Sequence, residues 1–161
     1  MSHSFPTRRS SDLTRPGQGF LSLGTSGVLF VVTPRYQPNP ASATHAFCHA
    51  LPNTWHQMSV MLSAASCLKW AKDLLGAPSE AAFIERASTF SFEARASAPI
   101  FLPYLSGERT PHNSASLRGS FHGLSFDTDA QNLAFLSILA IWKSVCQLAE
   151  FQEAKKKRGT I

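Results

Sequence analysis

The chain has 161 residues, long enough for one domain with its own core, and its 43% hydrophobic and 16% charged residues fit a soluble globular protein. No uninterrupted apolar run of about 18 residues and no apolar leader argue for a membrane span or a signal peptide, so the expected setting is cytoplasmic with no membrane partner. The net charge of +5 sits largely at the ends: residues 141–161 carry +3 and the long middle, 14–140, only +1, so a basic face for nucleic acid is not supported.

Residues 1–13 are polar and lack a hydrophobic period, which predicts a disordered arm. His3 to Leu13 also read like the translation of a common short-read sequencing adapter, and the arm is treated as non-native. Arg15-Pro16-Gly17-Gln18-Gly19 is a turn. Strands are expected over 20–23 and 28–33, joined by Gly24-Thr25-Ser26-Gly27. The two glycines allow a tight turn and close approach of a ligand, and Thr25 and Ser26 put two hydroxyls and two backbone N–H groups at its tip, a set of donors suited to phosphate. An ordinary hairpin turn explains this stretch equally well.

A loop with three prolines spans 34–40, and short strands are expected over 46–50 and 54–58 around Leu51-Pro52-Asn53. Val60 to Leu75 predicts a helix. Ser63, Ser66, Lys69 and Lys72 form a polar stripe every third residue, with apolar residues over most of the remainder, and Gly76 and Pro78 end it. A second helix is expected from Ser79 to about Ser88, a strand over 99–105, a strand or turn over 119–124, and a final helix over 129–148 capped by Asp127 or Asp129. This order makes the class α/β or α+β.

Few groups announce chemistry on their own. His45-x-x-Cys48-His49, with His56 nearby, lacks the second ligand pair a metal centre needs, so no metal ligand is assigned and packed histidines are expected. Cys48, Cys67 and Cys146 are odd in number and without metal-finger spacing, which reads as reduced thiols. Glu108, Arg109, His112 and Asn113 crowd one loop, where they could meet a polar ligand or tie the loop down by ion pairing. No carboxylate adjoins the glycine turn, and neither a Walker-type lysine loop nor a dinucleotide fingerprint is present.

Four blocks in order carry a resemblance: Gln18–Phe30, His45–Leu51, Trp55–Leu68 and Phe101–Asn113. Together they closely resemble the xylulokinase branch of the FGGY family of carbohydrate kinases, over residues 14–139. The resemblance implies part of an actin-like, ribonuclease-H-like ATPase domain, a β-hairpin plus helices, truncated and drawn from the C-terminal half. It implies transfer of the ATP γ-phosphate to D-xylulose, giving D-xylulose 5-phosphate, with Mg2+ as metal and homodimerisation of the intact enzyme left open. It further implies that Gly24, Thr25, Ser26 and Gly27 face the nucleotide phosphates and that Ser63, Ala64 and Ala65 lie along the nucleotide cleft.

Departures from the family pattern bear on activity. The family's catalytic aspartate, in a Gly-Asp-Asn-type motif, would lie upstream of Arg15, so no catalytic residue is assigned here and the chain by itself is expected to be inactive. Between Asn132 and Ala140 the chain carries one extra residue, and Ala140 stands where the family has an acid. The expected boundaries are an arm over 1–13, a kinase segment over 14–140 and a non-matching basic tail over 141–161. The alternatives are a kinase of the same family for another sugar, or a non-catalytic nucleotide-binding or interaction module.

Overall fold

The computed structural model describes residues 12–89 and 99–158, with side chains as far as Glu150. Its centre is a four-stranded antiparallel sheet in the order β1-β2-β4-β3, formed by β1 (Gly19–Leu23), β2 (Gly27–Thr33), β3 (His45–Cys48) and β4 (Trp55–Met61). β2 and β4 pair along their whole length, from Gly27 opposite Met61 to Thr33 opposite Trp55. A 3-10 turn at Pro40–Ser42 leads into β3, and a left-handed Asn53 (φ 52°) turns the chain from β3 into β4. A two-stranded sheet, β5 (Ile100–Leu102) with β6 (Ser120–His122), stands apart from the first. The helices are α1 (Ala65–Leu74), α2 (Glu80–Ser88) and α3 (Ala130–Arg158).

Alternation along β4 buries Gln57, Ser59 and Met61 on one side. There Met61, Ala64 and Cys67 meet Phe101, Leu136, Ala140, Ile141 and Leu148 in the main cluster, so α3 forms the floor under the sheet and α1. A second cluster, Ala71, Ala77, Phe83, Ala87 and Ala134, joins the three helices. The opposite sheet face carries Phe20, Phe30, Val32 and His56, with Leu13 over Phe30 and Val32.

The expected helix over 60–75 begins five residues late. Val60 and Met61 belong to β4, where seven residues pair with β2, and these non-local hydrogen bonds override a local pattern that fits a helix. The helix ends as expected, with Gly76 at φ 63°. Ser79 caps α2 by accepting a hydrogen bond from the Ala82 N–H at 3.1 Å, and Asp129 caps α3 by accepting from the Asn132 N–H at 2.8 Å. The strand expected over 99–105 is only three residues long, because the chain turns at Pro103 into the loop that docks on β4.

Two of the expected boundaries fall on described residues. Most of the arm over 1–13 lies outside the described residues, but Leu13 is fully buried. The boundary after Ala140 leaves no mark on the packing: α3 runs through it without a break, and Ile141 and Leu148 are core residues. The Ala130–Glu150 part of α3, 21 residues that include a stretch of mean hydropathy 1.4, is long and apolar enough to cross a bilayer by length and composition. Its apolar side chains Leu136, Ala140, Ile141 and Leu148 instead fill the core.

Candidate nucleotide-facing site

The Gly24-Thr25-Ser26-Gly27 turn joins β1 to β2, and neither glycine is left-handed, contrary to the expectation that both serve the bend. Gly27 is needed for another reason. A Cβ there would come within 2.5 Å of Met61 Cγ and 2.7 Å of its Sδ, so the glycine lets β2 close on the Met61 side chain. A Cβ at Gly24 would make only an ordinary contact, 3.8 Å from the Ser26 carbonyl oxygen. The Gly24 N–H donates to the Ser26 carbonyl at 3.0 Å and closes the turn.

The turn is bolted to the start of α1. Ala64 and Ala65 donate their N–H groups to the carbonyls of Thr25 (3.0 Å) and Gly24 (2.9 Å), and Ser66 donates its Oγ–H to the Thr25 carbonyl at 2.7 Å. These carbonyls replace the side-chain cap that Ala64, as N-cap, cannot supply. The first donors of α1 are therefore taken by protein. What stays available is on the turn itself: Thr25 is exposed and Ser26 half-buried, and neither hydroxyl has a hydrogen-bond partner among the described residues.

The three residues expected along a nucleotide cleft split. Ala65 is exposed, but Ala64 is wholly buried in the main cluster and Ser63 is 2% exposed, its Oγ 3.2 Å from that of Ser106. Ala64 thus reaches the turn only through its backbone N–H, and Ser63 reaches the loop at Ser106 instead.

The loop after β5 is anchored, though not by the ion pair considered from sequence. Glu108, 3% exposed, accepts the Leu62 N–H at 2.9 Å and the Arg109 N–H at 2.7 Å on one carboxylate oxygen. Burial pushes its pKa above the usual carboxylate value, against the opposing pull of those two donors. Thr110 donates its N–H to the Val60 carbonyl at 3.0 Å and accepts the Val60 N–H on Oγ1 at 3.1 Å, filling the β4 edge that β3 leaves open. Left-handed Gly107 (φ 82°) lies so close to Ser114 and Ala115 that a Cβ would meet their backbone at 2.8 and 2.9 Å. Arg109 is exposed, 3.3 Å from His45 Nε2, and Tyr104 Oη is 3.1 Å from His112 Nε2.

The histidines pack as rings. His56 stacks on Phe30 at 4.3 Å between centroids and lies edge-on to His49 at 6.1 Å. Its Nδ1 is buried without a partner among the described residues, and burial first, then the neighbouring His49, holds its pKa below the usual histidine value. Among the described residues no three His, Cys, Asp or Glu side chains converge to hold a metal ion.

Residues 19–157 match the model of the FGGY family of carbohydrate kinases, C-terminal domain. The chain belongs to this family. It is 52% identical over 118 residues to the xylulose kinase of Escherichia coli (strain K12) and 53% over 119 residues to that of Klebsiella pneumoniae, in each case across 73% of this chain and 24% of the relative. The crystal structure of a xyloylose kinase from Brucella ovis superposes with a TM-score of 0.75 and 47% identity, covering 84% of this chain and 27% of that one. The chain thus spans about a quarter of the length of the curated relatives it matches. The family match passes Ala140 without a break, in line with the packing of α3.

Proposed function

We propose that this chain is the stretch of an ATP-dependent xylulose kinase that borders the nucleotide phosphates. The observation that carries the reading is identity of 52–53% to two bacterial xylulose kinases over 118–119 residues. The reaction is transfer of the ATP γ-phosphate to D-xylulose, giving D-xylulose 5-phosphate, in a cytoplasmic enzyme. Thr25 and Ser26 offer hydroxyl and backbone donors to the phosphates, with Gly24 and Gly27 flanking them in the turn. Ala65 borders the cleft, and Ser63 and Ala64 support the turn from behind. Stabilising charge on a transferring phosphoryl group is mostly a matter of placed donors, which suits such a turn.

The base that would activate the sugar hydroxyl is not assigned to this chain. Asp73 pairs with Lys69 and Lys72, Asp129 caps α3, and Glu108 is committed to two backbone donors. The described residues also offer no ligand set for Mg2+, so the cation would ride on the nucleotide phosphates. The kinase segment is drawn from Leu13 to Leu148, wider than 14–140, because both residues are core.

A chimera tests the reading: the matched stretch of this chain replaces its counterpart in the Escherichia coli xylulose kinase. Retained xylulose-dependent ADP formation is expected. Changing Thr25 or Ser26 to Ala in the chimera should raise the KM for ATP about fivefold each, the loss of roughly one hydrogen bond. A folded chimera that ignores xylulose but phosphorylates another sugar would move the assignment elsewhere in the family. The 161-residue chain alone should give no xylulose-dependent ADP.

A further inference from the structure

Glu108 is a buried ionisable group that the phosphate turn does not touch, yet hydrogen bonds from consecutive residues of one backbone segment reach both. Its carboxylate holds the Leu62 N–H. One residue on, Ser63 Oγ meets Ser106 Oγ from the same loop as Glu108. One residue further, the Ala64 and Ala65 N–H groups hold the carbonyls of Thr25 and Gly24, and the Ser66 hydroxyl holds Thr25 again. Residues 62–64 form the link between β4 and α1. The Ala64 carbonyl accepts the first bonds of α1, from the Cys67 and Leu68 N–H groups, and Ala64 packs in the main cluster; the other polar contacts of the link run to the loop on one side and the turn on the other. Thr110, bonded to Val60 by its N–H and its Oγ1, presses the same loop onto the end of β4.

From these contacts we infer that Glu108, with Ser106, is a positioning residue for the Gly24–Gly27 turn: it locks the β4–α1 link, and the link locks the turn in the shape that offers Thr25 and Ser26 to a phosphate group. The inference rests on the phosphate reading of the turn for its purpose, but not for its mechanics. A carboxylate suits the task because it is an acceptor-only group, one oxygen of which takes two backbone donors at once. Removing it leaves the half-buried Leu62 N–H without its acceptor and loosens the link.

Amide hydrogen exchange on the full 161-residue chain, resolved by residue, tests the mechanics. Glu108→Ala should speed exchange at Ala64, Ala65 and Gly24 by about tenfold or more, the scale expected when anchoring hydrogen bonds are lost, while Phe83 and Ala87 in α2 keep their protection. Glu108→Gln keeps an acceptor oxygen and should restore most of the protection. Unchanged exchange at Ala64 and Ala65 in Glu108→Ala would overturn the inference, and so would an equal rise throughout the chain, which is loss of stability alone. Should Glu108→Ala fail to fold, Ser106→Ala cuts only the Ser63 contact and should still loosen Ala64 and Ala65; no change there counts against the inference. Titration with Mg-ATP, followed at the Thr25 and Ser26 amides, separates the two claims. If no shift occurs in the unmodified chain, the phosphate reading fails while the exchange result still decides the positioning claim. Where a shift occurs, Glu108→Ala should weaken the binding severalfold and Glu108→Gln should not.

Discussion

Cys67 and His56 show how burial sets the chemistry of single residues. Cys67 has no exposed surface, and burial pushes its thiol up to about 12, so at neutral pH it carries almost no thiolate. Cys48 is exposed. In the native chain a thiol reagent should label Cys48 rapidly and leave Cys67 untouched until denaturant is added, a difference peptide mapping of the labelled protein would display. His56 titrates in the opposite sense. Its folded pKa lies below the ordinary value of 6.5, so the unfolded chain takes up the proton first as pH falls. Stability that is present above pH 6.5 is therefore lost as pH drops through the folded pKa. Urea unfolding at pH 7.5 and 5.5 should show this loss, and His56→Phe should reduce it while keeping a ring against Phe30. Glu108 contributes the reverse slope at lower pH. Its raised folded pKa favours the native state below the usual carboxylate value, and that gain disappears as pH rises through the folded pKa. The difference between the unmodified chain and His56→Phe isolates the histidine.

Among the elements, the helices stand on different kinds of support. α1 begins on backbone carbonyls of the β1–β2 turn, so its first turn exists only where the sheet has formed. α2 and α3 carry their own caps, Ser79 and Asp129. Asp129→Ala should cost about 1 kcal/mol, the usual worth of an N-cap, and loosen the start of α3. Thermal unfolding with helical circular dichroism would register it as a small drop in Tm; no change would mean that core packing alone holds that end. The surface pairs, Lys69–Asp73 at 2.6 Å within α1 and Lys72–Glu80 at 3.1 Å between α1 and α2, are minor by comparison.

For the molecule as a whole, α3 is the structural keystone, touching α1, α2, β4 and β5. A chain stopped after Ala140 keeps every residue the sequence resemblance covers but loses Ile141 and Leu148 from the main core. Full burial of one such aliphatic side chain is worth roughly 1.5–3 kcal/mol, a large share of a small domain's stability. The shortened chain should lose its cooperative melting transition. If it melts as the full chain does, residues 141–158 are a dispensable tail, as their composition suggests. The far sheet face, with Phe47 44% exposed beside Phe20, Phe30 and His56, and the bare β1 edge, with Leu21 and Leu23 exposed, leave apolar surface in water.

Local chemistry was enough for the turn at 24–27, the caps at Ser79 and Asp129 and the stop at Gly76, because each depends on residue types close together in the chain, while the family was legible only through the resemblance of four separate blocks. Tertiary structure decided the rest. Val60 and Met61 are strand because β2 lies alongside them, and residues 141–150 join the core because a helix begun at Ala130 carries its apolar side chains under the sheet. The donors of α1 are spent on the turn at 24–25, and Glu108 serves as an anchor for Leu62, 46 residues away in sequence. Such long-range pairs satisfy buried polar groups across the fold, and no local pattern records which partner each will find.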